Sequence, residues 1–191
     1  KTVEATHGLH PSRRTYPEGT TSPTAPLPAA ARGGLGAGKE TRNVVFDHCS
    51  TGWTTQGGLS LSGQNSTARH CLMSEGWYEA GHNEQEHSKG AFINVSRAVM
   101  EEPVAMVGCL FAHNLGRNPD IMAGDRSVLA NNVIYNWGAD AIKMIETTRA
   151  TGKTHTTSIE GNVFIPGADT GGDPERPYRG QAAWIYLNEP N

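Results

Sequence analysis

Residues 104–138, VAMVGCLFAHNLGRNPDIMAGDRSVLANNVIYNWG, decide the fold. Two β-type runs, Val104 to His113 and Ser127 to Trp137, flank a tight segment from Asn114 to Gly124 with Arg117 at its centre. The runs are short, rich in β-branched and aromatic residues, and bounded by Gly, Asn and Asp, as strands are. The pattern recurs. Phe46-Asp47-His48-Cys49-Ser50, Ala68-Arg69-His70-Cys71-Leu72, Met106-Val107-Gly108-Cys109-Leu110, Leu129-Ala130-Asn131-Asn132-Val133 and Ile159-Glu160-Gly161-Asn162-Val163 each carry Cys or Asn in fourth place. From Cys49 through Cys71, Cys109 and Asn132 to Asn162 the steps are 22, 38, 23 and 30 residues. A unit of roughly 20–25 residues with insertions of variable length marks a solenoid. One such unit is too short to bury a face alone, so neighbours must stack.

No long run places apolar residues at helical spacing, so the units are strands. Equivalent strands in successive coils run parallel. The expectation is an all-β chain, a short parallel β-helix with an irregular N-terminal arm over residues 1–42 and the β-helix domain over 43–191. The Cys and Asn residues would form a ladder along one corner, with Asn amides bonding to one another and to turn backbone and Cys acting as small buried hydrophobes. The competing reading is a β-sandwich in which five short strands share the pattern by chance.

The chain has 191 residues, 23 glycines and a net charge of −3. No basic stripe marks a nucleic-acid binder, and no apolar run approaches the ~18 residues of a membrane span. The start at Lys1 fits a processed or truncated chain. Three cysteines with no CxxC read as free thiols rather than a disulfide framework or zinc site. Residues 1–42 are rich in Pro, Gly, Thr, Ala and Arg; they read as a mobile arm or as a cover for the first coil. Residues 76–89, GWYEAGHNEQEHSK, fall in the longest step and read as a polar loop excursion.

Four motifs resemble the pectate lyase family. Asn43-Val44-Val45-Phe46-Asp47-His48-Cys49-Ser50 followed by Trp53 resembles a wall-and-loop segment of that family. His87-Ser88-Lys89-Gly90 resembles its HSxG segment, and Leu110 to Asn114 followed by Arg117-Asn118-Pro119 resembles its segment ending in RxP. Asn131-Asn132-Val133-Ile134-Tyr135-Asn136-Trp137-Gly138 is similar to the coil that follows. The likeness covers about residues 43–165, the C-terminal part of such a β-helix domain.

The resemblance implies a right-handed parallel β-helix, a secreted protein, and β-elimination on an acidic polysaccharide such as polygalacturonate. That chemistry needs a base at the carbon α to the uronate carboxyl. It also needs positive charge to stabilise the developing enolate, and a proton for the leaving oxygen. Arg117 matches the family's base; an arginine is an unusual base because its reference pKa exceeds 12. Lys89, Arg126, His87 and Trp53 are the implied substrate-binding residues. His113 and His48 read as structural histidines, and Trp77 as another ring for a sugar or for packing. Calcium is the implied cofactor, with Gln56, Glu75, Glu84 and Glu86 as candidate ligands. Relatives often carry Asp-Glu where Gln56-Gly57 stand, and a second arginine where Met122 stands; both departures thin the charge. Asp120 reads as an acid that would repel a polyuronate.

Two further functions compete with a lyase. One is a β-helix of little or no activity that binds glycan. The other is a structural module, a homo-oligomer or filament built through open β-helix ends. A hydrolase of the polygalacturonase type needs paired carboxylates, and no Asp-Asp pair occurs in the chain.

Overall fold

The computed structural model describes residues 33–78, 89–94, 103–122, 126–145, 156–171 and 181–186. The chain winds through three walls per coil. Coil one is β1 (Leu35–Ala37), β2 (Val45–Asp47) and β3 (Ser50–Gly52). Coil two is β4 (Leu59–Leu61), β5 (Thr67–Arg69) and β6 (Leu72–Ser74). Coil three is β7 (Ala91–Asn94), β8 (Val104–Val107) and β9 (Leu110–Ala112). Coil four is β10 (Asp120–Met122), β11 (Arg126–Ala130) and β12 (Val133–Tyr135). Coil five is β13 (Asp140–Ile145), β14 (Thr156–Glu160) and β15 (Val163–Ile165), and β16 (Gln181–Tyr186) follows it. The first wall has the order β1-β4-β7-β10-β13-β16, the second β14-β11-β8-β5-β2, and the third β15-β12-β9-β6-β3. The paired strands are parallel, as in β11 on β8 and β12 on β9. This is the parallel β-helix expected from the repeat.

The register reproduces the spacing of the Cys and Asn column. Val45 pairs with Thr67, Thr67 with Ala105, Ala105 with Val128 and Val128 with Ser158. The offsets are again 22, 38, 23 and 30.

Two expectations need correction. Runs read as single strands, such as Val104 to His113, are each two strands on different walls. A two-residue corner separates them, and its first residue is left-handed: His48, His70, Gly108, Asn131 and Gly161 have φ between 52° and 64°. That conformation turns the chain sharply within one residue, and the strands of three to five residues on either side look continuous in sequence. The solenoid also begins before residue 43. Leu35–Ala37 pairs with Leu59–Leu61, and Ala37 is buried in the core.

The core is a set of stacked columns inside the walls. Leu61, Ile93 and Ile121 stack on the first wall, Ala68, Met106 and Leu129 on the second, and Met73, Phe111 and Ile134 on the third. All are at most 2% exposed. Each large one contributes about 1.5–3 kcal/mol by leaving water.

The corner ladder holds the second and third walls together. Asn132 Oδ1 accepts from the Cys109 amide at 2.9 Å, and Asn132 Nδ2 donates to the Met106 carbonyl at 3.0 Å and to Asn162 Oδ1 at 2.9 Å. Asn162 Nδ2 donates to the Leu129 carbonyl at 2.8 Å. The three cysteines are free thiols. Cys71 and Cys109 are buried, but Cys49, in the first coil, is only half-buried.

Candidate active site

The candidate site lies where the chain enters the first wall. Backbone there stacks coil on coil. The Gly58 amide donates to the carbonyls of Lys89 and Gly90, the Gly90 amide to Gly116, and the Ala91 amide to Arg117 at 2.6 Å. Segments 56–58, 89–90 and 116–117, far apart in sequence, therefore form adjacent rungs. A bridge between Lys89 and Gly116 confirms the alignment.

Arg117 is lifted onto this edge by its backbone. Its φ is 58°, an uncommon conformation for a residue with a Cβ. Its amide donates to Asp140 Oδ2 at 3.2 Å. Gly116 before it leaves room for that carboxylate, which would stand 3.1 Å from a Cβ at Gly116. Beneath the turn lies a buried amide network. Asn114 Nδ2 donates to the Met73 carbonyl and to Asn118 Oδ1, each at 3.0 Å, while Asn114 Oδ1 accepts from the Gly76 amide at 3.0 Å. The Asn118 amide donates to the Ala141 carbonyl at 2.7 Å. These neutral amides, fixed from two coils, set the turn.

The Arg117 side chain is 30% exposed. Its Nε lies 3.4 Å from Asp120 Oδ2, and its Cζ stands 5.3 Å from the centre of the Phe92 ring. Phe92, Asp120 and Lys143 are register neighbours on β7, β10 and β13. They form an outward stripe beside Arg117. Asp120, read from sequence as an acid that would repel a polyuronate, is 1% exposed, and its Oδ1 has no hydrogen-bond partner. Burial pushes its carboxyl above the usual range, while Arg117, Lys143 and Lys89 pull it down.

The other candidates are distributed. Lys89 is on the rung next to Arg117. Arg126 is exposed at the start of β11, on the second wall. Trp53 is 68% exposed at the corner following the third wall, and its Nε1 donates to Glu75 Oε2 at 2.5 Å. His113 sits at the same corner one coil beyond Glu75, with its amide on the Tyr135 carbonyl and its Nδ1 2.8 Å from Asn136 Nδ2, a structural place. His87, Glu84 and Glu86 lie outside the described residues.

Calcium binds through six to eight oxygens. Gln56 offers one neutral oxygen, and the Glu75 carboxylate is engaged by the Trp53 indole. Among the described residues these candidates do not make a calcium cage. Phe92, Asp140 and Lys143 escaped sequence reasoning. Only the register between coils brings them to Arg117.

Probable pectate lyase C of Aspergillus flavus and its namesake in Aspergillus oryzae are each 29% identical to the chain over 131 residues, 68% of the chain and 27% of the relative. The protein of the same name from Emericella nidulans is 28% identical over 133 residues, 69% of the chain and 27% of the relative. The chain is similar to proteins named probable pectate lyase over two thirds of its length. It spans about a quarter of the length of these curated relatives. No family model and no solved structure matches it. Among the described residues there is no helix long and apolar enough to cross a membrane.

Proposed function

We propose that the chain carries the base-bearing part of a secreted lyase that cleaves polygalacturonate or a related polyuronate by β-elimination, with Arg117 as base. The observation that carries this reading is the presentation of Arg117. Its backbone is pinned from two neighbouring coils, by Ala91 and Asp140, and its guanidinium lies over Phe92 with Nε held by Asp120.

In the reaction Arg117 takes the proton from C5, α to the uronate carboxyl. The electron pair forms the C4–C5 double bond as the C4–O bond breaks, and the leaving oxygen takes a proton from water. Lys89 on the adjacent rung and Lys143 on the next coil pair with uronate carboxylates and stabilise the enolate charge. Asp120 orients the guanidinium through Nε, which leaves its terminal nitrogens for the substrate.

The test is absorbance near the unsaturated-uronate band during incubation with polygalacturonate, with calcium and with chelator, beside Arg117→Ala. A rise that Arg117→Ala abolishes supports the reading. A folded chain that produces no rise in either arm overturns it and leaves glycan binding or end-to-end assembly.

A further inference from the structure

A different corner, between the second and third walls, carries a cluster that the lyase chemistry does not use. Asp47 ends β2, and His48 and His70 occupy the left-handed corner position in coils one and two. The two imidazoles stack with ring centres 4.8 Å apart. Both turn Nδ1 toward the same oxygen, Asp47 Oδ1, which lies 2.6 Å from His48 and 3.6 Å from His70. The candidate ligand atoms of the three side chains lie within 4.8 Å of one another.

We propose that Asp47, His48 and His70 form a binding site for a borderline transition-metal dication such as Zn²⁺, Cu²⁺ or Ni²⁺. Four observations carry it. Two imidazoles and one carboxylate are the donor set such ions prefer, whereas calcium and magnesium require oxygen. The frame is rigid, because the His48 amide donates to the Arg69 carbonyl and the His70 amide to the Val107 carbonyl, each at 3.1 Å. The carboxylate is oriented from behind: Arg69 donates to Asp47 Oδ2 at 2.6 Å and leaves Oδ1 toward the histidines. Hydrogen bonds of that kind to a ligating carboxylate are usual in metal sites. Finally, the side chains are 75%, 53% and 34% exposed for His48, His70 and Asp47. Small rotations can therefore close the three donors to the ~2.0–2.2 Å bonds such an ion needs, with water completing its shell.

The coil above contributes Gly108 at the same corner position. A Cβ there would stand 2.9 Å from His70 Cδ2, so a larger residue would push the ring out of the stack. The bound ion would tie coil one to coil two at their corner.

The experiment titrates the full chain with Co²⁺ and follows its visible absorbance, then displaces it with Zn²⁺ or Ca²⁺. His48→Asn and His70→Asn are the variants, because Asn tolerates the left-handed backbone and removes the imidazole. The expected result is saturation at one equivalent, displacement by Zn²⁺ and not by Ca²⁺, and at least ~10-fold weaker binding in each variant. Zn²⁺ should also raise the melting temperature of the parent chain and not of the variants. Absence of saturable binding, or affinity unchanged in both variants, overturns the proposal. Neither outcome bears on Arg117, whose chemistry is read from uronate cleavage.

Discussion

Gly90 supports Arg117 from the coil below. A Cβ on Gly90 would lie 2.8 Å from the Arg117 carbonyl oxygen and against Asn118 Oδ1. The neighbouring Ala91 amide donates to that same carbonyl. The glycine that closes the HSxG-like segment is thus a spacing element for the candidate base. Gly90→Ala must move either the Arg117 backbone or the buried Asn118. We expect a loss of uronate cleavage on the order of 100-fold, the scale of a catalytic group displaced by about 1 Å. Steady-state kinetics at pH 8 check this. A variant with native kcat would show that Arg117 tolerates the shift and is not the base.

Asp120 separates stability from activity. Burial disfavours its charged form, so its folded pKa lies above its unfolded value. Its contribution to stability is present below the unfolded pKa and is lost as pH rises through the raised folded value. Asp120→Asn removes that titration. Relative to the parent chain, the variant's melting temperature should be higher at pH 7 than at pH 4. Cleavage should fall nonetheless, by ~10-fold or more, because Arg117 loses its Nε anchor. Melting curves at the two pH values decide the sign; a relative stability that drops toward pH 7 would show the Arg117 ion pair outweighing burial.

The ladder amide has a larger and simpler effect. Asn132 is 1% exposed, and its side chain serves the Cys109 amide, the Met106 carbonyl and Asn162. Asn132→Ala leaves a buried donor and acceptor unpaired. At about 1–3 kcal/mol for each unsatisfied group, the variant should lose about 2–6 kcal/mol. Urea denaturation measures it. A loss under about 1 kcal/mol would mean that water replaces the amide and that the ladder is not a main source of stability.

That ladder is also why the fold was legible. Small or amide side chains at one corner bond coil to coil, so their spacing in sequence is the register of the walls. The corners themselves were not legible. Histidine tolerates the left-handed conformation but does not mark a turn as glycine does, so with His48 and His70 the runs read as unbroken strands rather than two walls. At the candidate site the motifs placed Arg117 and Lys89. Phe92, Asp120 and Lys143 come together only because β7, β10 and β13 pair in one exact alternation, which insertions between coils conceal. Asp120 read as an acid facing the substrate because nothing local to residues 117–122 signals its burial.

The three thiols should react at different rates, in an order set by the same stacking. Cys109 is 1% exposed, and burial pushes its thiol up to about 11. Only the thiolate is nucleophilic, so at pH 8 Cys109 is both covered and almost wholly protonated. Cys71 is buried as well, with its Sγ 3.2 Å from the Arg69 carbonyl. Cys49 has one face uncovered, because it ends the ladder in the first coil. A disulfide reagent at pH 8 should therefore modify Cys49 first in the folded chain, and all three thiols at similar rates in denaturant. Peptide mapping by mass spectrometry assigns the order. Early modification of Cys109 would mean that the corner between β8 and β9 opens readily. The Asn132 amide bond to Cys109 would then be too weak to hold coil three against coil four.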